Sequence, residues 1–223
     1  MHSVQYSQFL NGVYKMGYYI FSYGIETDKI KAVFNSNDES TLELIKKTDT
    51  FDNHKGFLSK GKRTTPAKAL EDIIKNKPYD IKSNFAYGYA LICICDALGK
   101  KLPYTQEIKL GYETDLIDKY LSEDFGINDL EVNDSLLFID EPIPFDIPPI
   151  DEWPVINVLK KEKLIELDKK MKHIKINDEE VEQLMEGDDD DEDKGCAYMH
   201  IKGIMENINY CIKNNLEMIN FCH

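Results

Sequence analysis

Gly17–Ile25 reads GYYIFSYGI, and near the other end of the chain Leu216–Cys222 reads LEMINFC. The first stretch is aromatic and β-branched, and the second places Ile219 and Phe221 on one face, so both read as strands. Neither can satisfy its backbone groups alone, and the two are therefore expected in one sheet. Working outward from them, the segment between is mostly helical in period. Asn37 and Thr65-Pro66 start helices, and Thr114 caps another that ends at Gly126. Asn84–Leu98 (NFAYGYALICICDAL) is apolar around its whole circumference, the mark of a buried central helix, and Gly88 within it reads as a point of close helix packing. Lys160–Lys172 is amphipathic, and Asn177 with Glu180 forms a capping box for a short helix ending at Gly187. In Gly195–Asn214, apolar residues from Ala197 to Ile212 recur at three- and four-residue steps, and Asn214-Asn215 can end the helix in the left-handed conformation. Phe51–Thr64 reads as an irregular loop and Ser135–Asp140 (SLLFID) as a further strand.

The fold class that follows is α+β: a single domain over residues 16–223, in which a small sheet holding Gly17–Ile25 and the C-terminal strand is packed by six to eight helices. Met1–Lys15 reads as an N-terminal extension. Five of the eight prolines fall in Glu141–Pro154, an extended surface connection and the one place where the domain could be subdivided.

Charge narrows the classes of function. Among 223 residues, 41 are acidic and 27 basic, for a net charge of −14. Asn177–Lys194 carries −10 and Glu131–Glu152 carries −7, which leaves +3 for the rest of the chain. A surface of this sign does not suit general nucleic-acid binding. The longest apolar run, Tyr89–Cys95, is far short of the roughly 20 residues that a membrane span needs. No secretory signal opens the chain, so a cytoplasmic protein without a membrane partner is expected. The six consecutive carboxylates Asp188, Asp189, Asp190, Asp191, Glu192 and Asp193 repel one another and predict a solvated acidic loop over residues 187–194. That loop is either a solubilising insertion or a docking surface for a basic partner. It lacks the alternating ligands and central glycine of a calcium loop.

Catalytic and cofactor signals are sparse. Arg63 is the sole arginine beside 26 lysines, so bidentate clamps for phosphate or carboxylate are scarce. There is no Gly-rich phosphate loop. Five cysteines are an odd number, and Cys93 and Cys95 would lie on nearly opposite helix faces, so core thiols are expected rather than disulfides. Cys196 and His200, four residues apart, could share a helix face at metal-compatible spacing, but no second pair at ligand spacing joins them. The reading is therefore no catalytic residue, no cofactor and no metal.

The start MGYYIFSYGIETDKIKAVFNSND, the helix FAYGYALICICDALG, the segment EWPVINVLKKEKL and the ending MINFCH, in this order, resemble an uncharacterised bacterial family known as a domain of unknown function. The likeness covers most of Met16–His223. The sequence departs from the family's pattern in its acidic run and in Cys222, where an aromatic residue is usual. The resemblance implies no catalytic residues.

Taken together, these features predict a binding protein, most concretely an immunity protein or antitoxin that masks a basic toxin domain. The expected contact residues are Asp188–Asp193 and, in the proline-rich connection, Glu141, Phe145, Asp146, Asp151, Glu152 and Trp153, an aromatic centre with an acidic rim. The alternatives are an enzyme with its site beneath that connection, lined by tyrosines or carboxylates, and a structural or regulatory subunit.

Overall fold

The two terminal strands pair directly. Strand β1 (Tyr19–Ile25) runs antiparallel to β5 (Glu217–Cys222), from Ile20 opposite Cys222 to Ile25 opposite Glu217. This computed structural model describes residues 17–57, 63–138, 142–151 and 153–223. Met1–Lys15, Glu141 and Glu152 lie outside the described residues. Strand β4 (Val155–Leu159), directly after the proline-rich connection, covers the other edge of β5. Two short segments, β2 (Lys100–Lys101) and β3 (Ile108–Lys109), share the free edge of β1, with residues 102–107 arching between them. Every pairing is antiparallel.

Alternation along the strands sends side chains to opposite faces, and each face carries its own helical layer. On one side α1 (Thr27–Lys31), α2 (Glu39–Ile45), α3 (Asp49–His54) and α4 (Pro66–Ile74) surround α5 (Asn84–Leu98), and their core meets Ile25, Val158, Ile219 and Phe221. On the other side α6 (Tyr112–Glu123), α7 (Val132–Leu136), α8 (Lys161–Met171) and α10 (Asp189–Asn214) meet Ile20, Leu159, Met218 and Cys222. Helix α9 (Asp178–Met185) packs outside α10. The result is α+β, a five-stranded antiparallel sheet between two layers of helices.

Ten α-helices are present among the described residues. Two of them replace other expectations. Helix α3 forms inside the stretch read as an irregular loop, because the Thr48 hydroxyl accepts from the Phe51 amide and Phe51 is buried. Helix α7 takes the place of the strand expected over Ser135–Asp140, of which Ile139 and Asp140 lie outside the described residues. Its first amide, Val132, donates to the Asp118 carboxylate of α6 at 2.8 Å, a cap that local sequence does not reveal.

Caps shift elsewhere too. Asp38 rather than Asn37 caps α2, and Gly111 rather than Thr114 precedes α6, where the Thr114 hydroxyl accepts from the Gly111 amide. Thr65 and Asn177 cap as expected, and Asn215 ends α10 in the left-handed region. Helix α5 is the buried central helix, with every residue from Ala86 to Cys95 buried. Its Gly88 makes room for the proline-rich connection rather than for a helix: a Cβ there would lie 2.7 Å from Ile150 and 2.8 Å from Pro154.

The sheet face toward α7 carries a polar row whose two asparagines are buried. Ser22, Asn220 and Asn157 stand side by side across β1, β5 and β4. The Ser22 hydroxyl donates to Asn220 at 2.6 Å. Asn220 and Asn157 both donate to the Leu136 carbonyl, at 2.9 and 3.0 Å, and so satisfy the C-terminal end of α7.

Candidate functional site

The acidic run is not a loop. Asp188 is the N-cap of α10, its carboxylate accepting from the Asp191 amide, and Asp189–Asp193 form the helix's first turns. Carboxylates beside the unpaired amides and positive dipole end of a helix are stabilised there, which offsets the mutual repulsion that predicts a loop. Asp188–Glu192 remain exposed. Asp189, Asp190, Asp191 and Glu192 enter no ion pair among the described residues. The next two lysines along α10 are already engaged, Lys194 with Asp124 at 2.9 Å and Lys202 with Asp178, and Lys213 stands in the last turn at the far end. Asp193 accepts from the hydroxyl of Tyr112, a tyrosine 56% exposed at the start of α6. Helix α9 packs along α10, and its exposed Glu179 and Glu182, with Glu186 at its C-cap, add negative charge beside the run.

In the second predicted segment, Ile143, Phe145 and Ile147 pack on the α5 side of the sheet, whereas Trp153 packs against the core on the α10 side. Its residues do not form one surface. Phe145 is only 6% exposed and stacks on Phe34 at 6.1 Å, so it belongs to the core and not to a contact centre. Asp146 is exposed. Asp151 accepts from the Asn84 side chain at 3.0 Å, and Trp153 stacks on Tyr18 at 3.8 Å. A cavity of about 360 Å³ beneath the connection is lined by prolines, isoleucines, Phe145 and Val155. Among the described residues no titratable side chain lines it, whereas a neighbouring cavity of about 500 Å³ at the end of the connection is lined by Tyr18, Arg63, Tyr89, Asp151 and His223.

A third place comes from the arch of residues 102–107. Tyr104 is held against α10 by three residues on one helical face. Its hydroxyl meets His200 Nδ1 at 2.7 Å. Its amide donates to, and its carbonyl accepts from, the Asn207 side chain, both at 2.9 Å. Its ring lies where a Cβ on Gly203 would be, 2.2 Å from such an atom. On the far side of the imidazole, His200 Nε2 lies 3.3 Å from the Glu113 carboxylate, which also accepts from the Lys109 amide at 2.5 Å. Cys196 stands one turn before His200, and ligand atoms of Glu113, Cys196 and His200 all lie within 4.8 Å of one another.

Electrostatics at this cluster are set by burial. Desolvation alone would raise the Glu113 carboxyl, but His200 and the Lys109 amide outweigh it and hold it below the usual carboxylate range. With Glu113 ionised, His200 Nε2–H donates to it and Nδ1 accepts from Tyr104. Burial, then the charges of Glu113 and Asp193, push the Cys196 thiol up to about 12, so it is not a nucleophile as it stands. Sequence reasoning found Cys196 and His200 by their spacing but missed Glu113 and Tyr104, which only the fold brings to them; Tyr104 and His200 are 96 residues apart.

Beneath the arch, a cleft of about 380 Å³ opens at the free edge of β1 and is lined by Tyr23, His54, Asp96, Glu107 and His223. Burial, then His54, lowers the His223 imidazole, which leaves it neutral at pH 7. The Tyr23 hydroxyl donates weakly to Asp96 at 3.4 Å, and burial raises this phenol, then Asp96.

A family model described as "Domain of unknown function (DUF7691)" matches residues 16–223. No curated protein and no solved structure matches the chain. No helix among the described residues is long and apolar enough to cross a membrane.

Proposed function

From the premise that this chain belongs to the DUF7691 family, we propose that it is a non-enzymatic binding protein whose acidic α9–α10 face docks onto a basic protein domain. One observation carries the reading: Asp188–Glu192 are exposed carboxylates fixed on the first turns of a 26-residue helix, and Asp189–Glu192 have no lysine partner among the described residues. A charge array held on a helix loses little conformational freedom when a partner arrives, whereas a solvated loop would have to be ordered first. Such an array speeds encounter with a positive surface, and Tyr112 at its edge supplies the aromatic contact that affinity needs.

The biological form of this reading is an immunity protein or antitoxin that occupies the basic face of a toxin domain in the cytoplasm. Asp146 and Asp151, the described acidic residues of the proline-rich connection, play no part in it.

Affinity capture from a lysate of the native organism tests the proposal. The baits are the wild-type protein and a variant in which the aspartates of Asp188–Asp193 are replaced by Asn and Glu192 by Gln, which removes the charge and keeps the helix cap. A basic protein retained by the wild type, released by salt and lost from the variant supports the reading. Equal retention by both baits rejects it.

A further inference from the structure

We propose that Glu113, Cys196 and His200 form a binding site for a divalent transition metal of the zinc class, tying the first turn of α6 to α10. The three donors are a carboxylate oxygen, a thiol sulfur and an imidazole nitrogen, with all ligand atoms within 4.8 Å of one another. That mixture suits zinc, while calcium and magnesium take oxygen donors. Zinc bonds of about 2.0–2.3 Å require the three atoms to draw together by about an ångström. Glu113 and Cys196 are only partly buried, so their side chains can make that adjustment and the ion has a way in.

The surroundings are those of a ligand set rather than of a chance cluster. His200 is 2% exposed, and its outer nitrogen is fixed by the Tyr104 hydroxyl at 2.7 Å. A second partner of this kind sets the orientation and tautomer of a metal-bound histidine. Tyr104 is itself clamped by Gly203 and Asn207. Glu113 is oriented by the Lys109 amide. Three protein ligands leave a fourth position for water.

The bookkeeping of protons balances. The ion replaces the hydrogen on His200 Nε2, which reappears on Nδ1 and is donated to the Tyr104 oxygen. The Cys196 thiol gives its proton to solvent as the metal–sulfur bond forms, so one proton leaves per ion bound.

Protein stripped with a chelator is titrated with zinc chloride by calorimetry and, separately, with cobalt chloride by absorption. The expected result is one ion per chain and a thiolate-to-cobalt charge-transfer band in the near ultraviolet. Cys196→Ser should abolish the band and weaken zinc at least 100-fold, and Tyr104→Phe should weaken zinc by roughly 10- to 100-fold. The variant with the charges of Asp188–Asp193 neutralised by Asn and Gln should bind as the wild type does. The proposal is overturned by the absence of stoichiometric binding, by a cobalt complex with no thiolate band, or by zinc binding lost with the acidic run and kept in Cys196→Ser.

Discussion

Replacing Gly203 by alanine should lower the melting temperature by several degrees, against the ordinary preference of helices for alanine. The added Cβ would stand 2.2, 2.3 and 2.5 Å from three carbons of the Tyr104 ring, whereas carbon contacts are comfortable only at about 3.5–4.0 Å. The ring has to move by more than an ångström. It is not free to do so, because its hydroxyl is tied to His200 and its backbone to Asn207. Overpacking of this kind costs about 1–3 kcal/mol. If the ring is expelled instead, the buried His200 nitrogen loses its partner, at about 1–3 kcal/mol, along with part of the roughly 2 kcal/mol from burying the ring. Against either stands about 1 kcal/mol of helix propensity gained. The cheaper route sets the net loss at about 1–2 kcal/mol, or roughly 2–8 °C in Tm for a chain of this size. Thermal melts of the wild type, Gly203→Ala, Tyr104→Ala and the double variant close a cycle. In the Tyr104→Ala background the alanine at 203 should be neutral or stabilising. A Gly203→Ala protein that melts with or above the wild type, or that loses as much without the tyrosine as with it, refutes the clamp.

Removing the Asn220 side chain by Asn220→Ala should cost about 1–3 kcal/mol in urea unfolding, since Ser22 loses its acceptor and the Leu136 carbonyl one of its two donors; a change below about 0.5 kcal/mol would contradict the polar row. Asp118 offers a pH test. Burial first, then Glu131 and its acidic neighbours, push its carboxyl up to about 6, so the folded state holds this proton more tightly than the unfolded chain does. The stability it contributes is full below about pH 4 and is lost as pH rises through 6. Asp118→Asn keeps an acceptor for the Val132 amide and should stabilise by about 1 kcal/mol at pH 7 after allowance for solvent screening. That advantage should vanish by about pH 4; an unchanged difference across this range would remove Asp118 as its source.

How far the fold is legible in the sequence depends on how local its causes are. β1 and β5 announce themselves by aromatic and β-branched alternation, α5 by apolar residues all round, and α10 by its period. Each of these signals is contained in its own segment. Strand β4 is obscured because Val155–Leu159 follows directly on the prolines and packs on both faces, so it shows no polar alternation. Helix α7 rests on a cap donated from α6, and SLLFID by itself has the composition of a strand. For the acidic run, repulsion alone points to a loop, and the cap that Asp188 supplies at the dipole end of α10 turns the balance to helix. Phe145 looked like a contact centre because nothing local shows that Phe34 lies across from it. At the Tyr104 clamp, His200, Gly203 and Asn207 are three and four residues apart on one helix face, yet the spacing acquires meaning only when a distant loop is laid against it.

The docking role of the α10 terminus is tested most directly by association kinetics with the basic partner recovered by capture. The measurement is the on-rate of the wild type and of the Asp188–Asp193 variant over a range of salt. The helical carboxylates predict a wild-type rate that falls steeply with ionic strength, a slower variant at low salt, and convergence near 1 M, where screening acts within about 3 Å. Equal on-rates at low salt would contradict it.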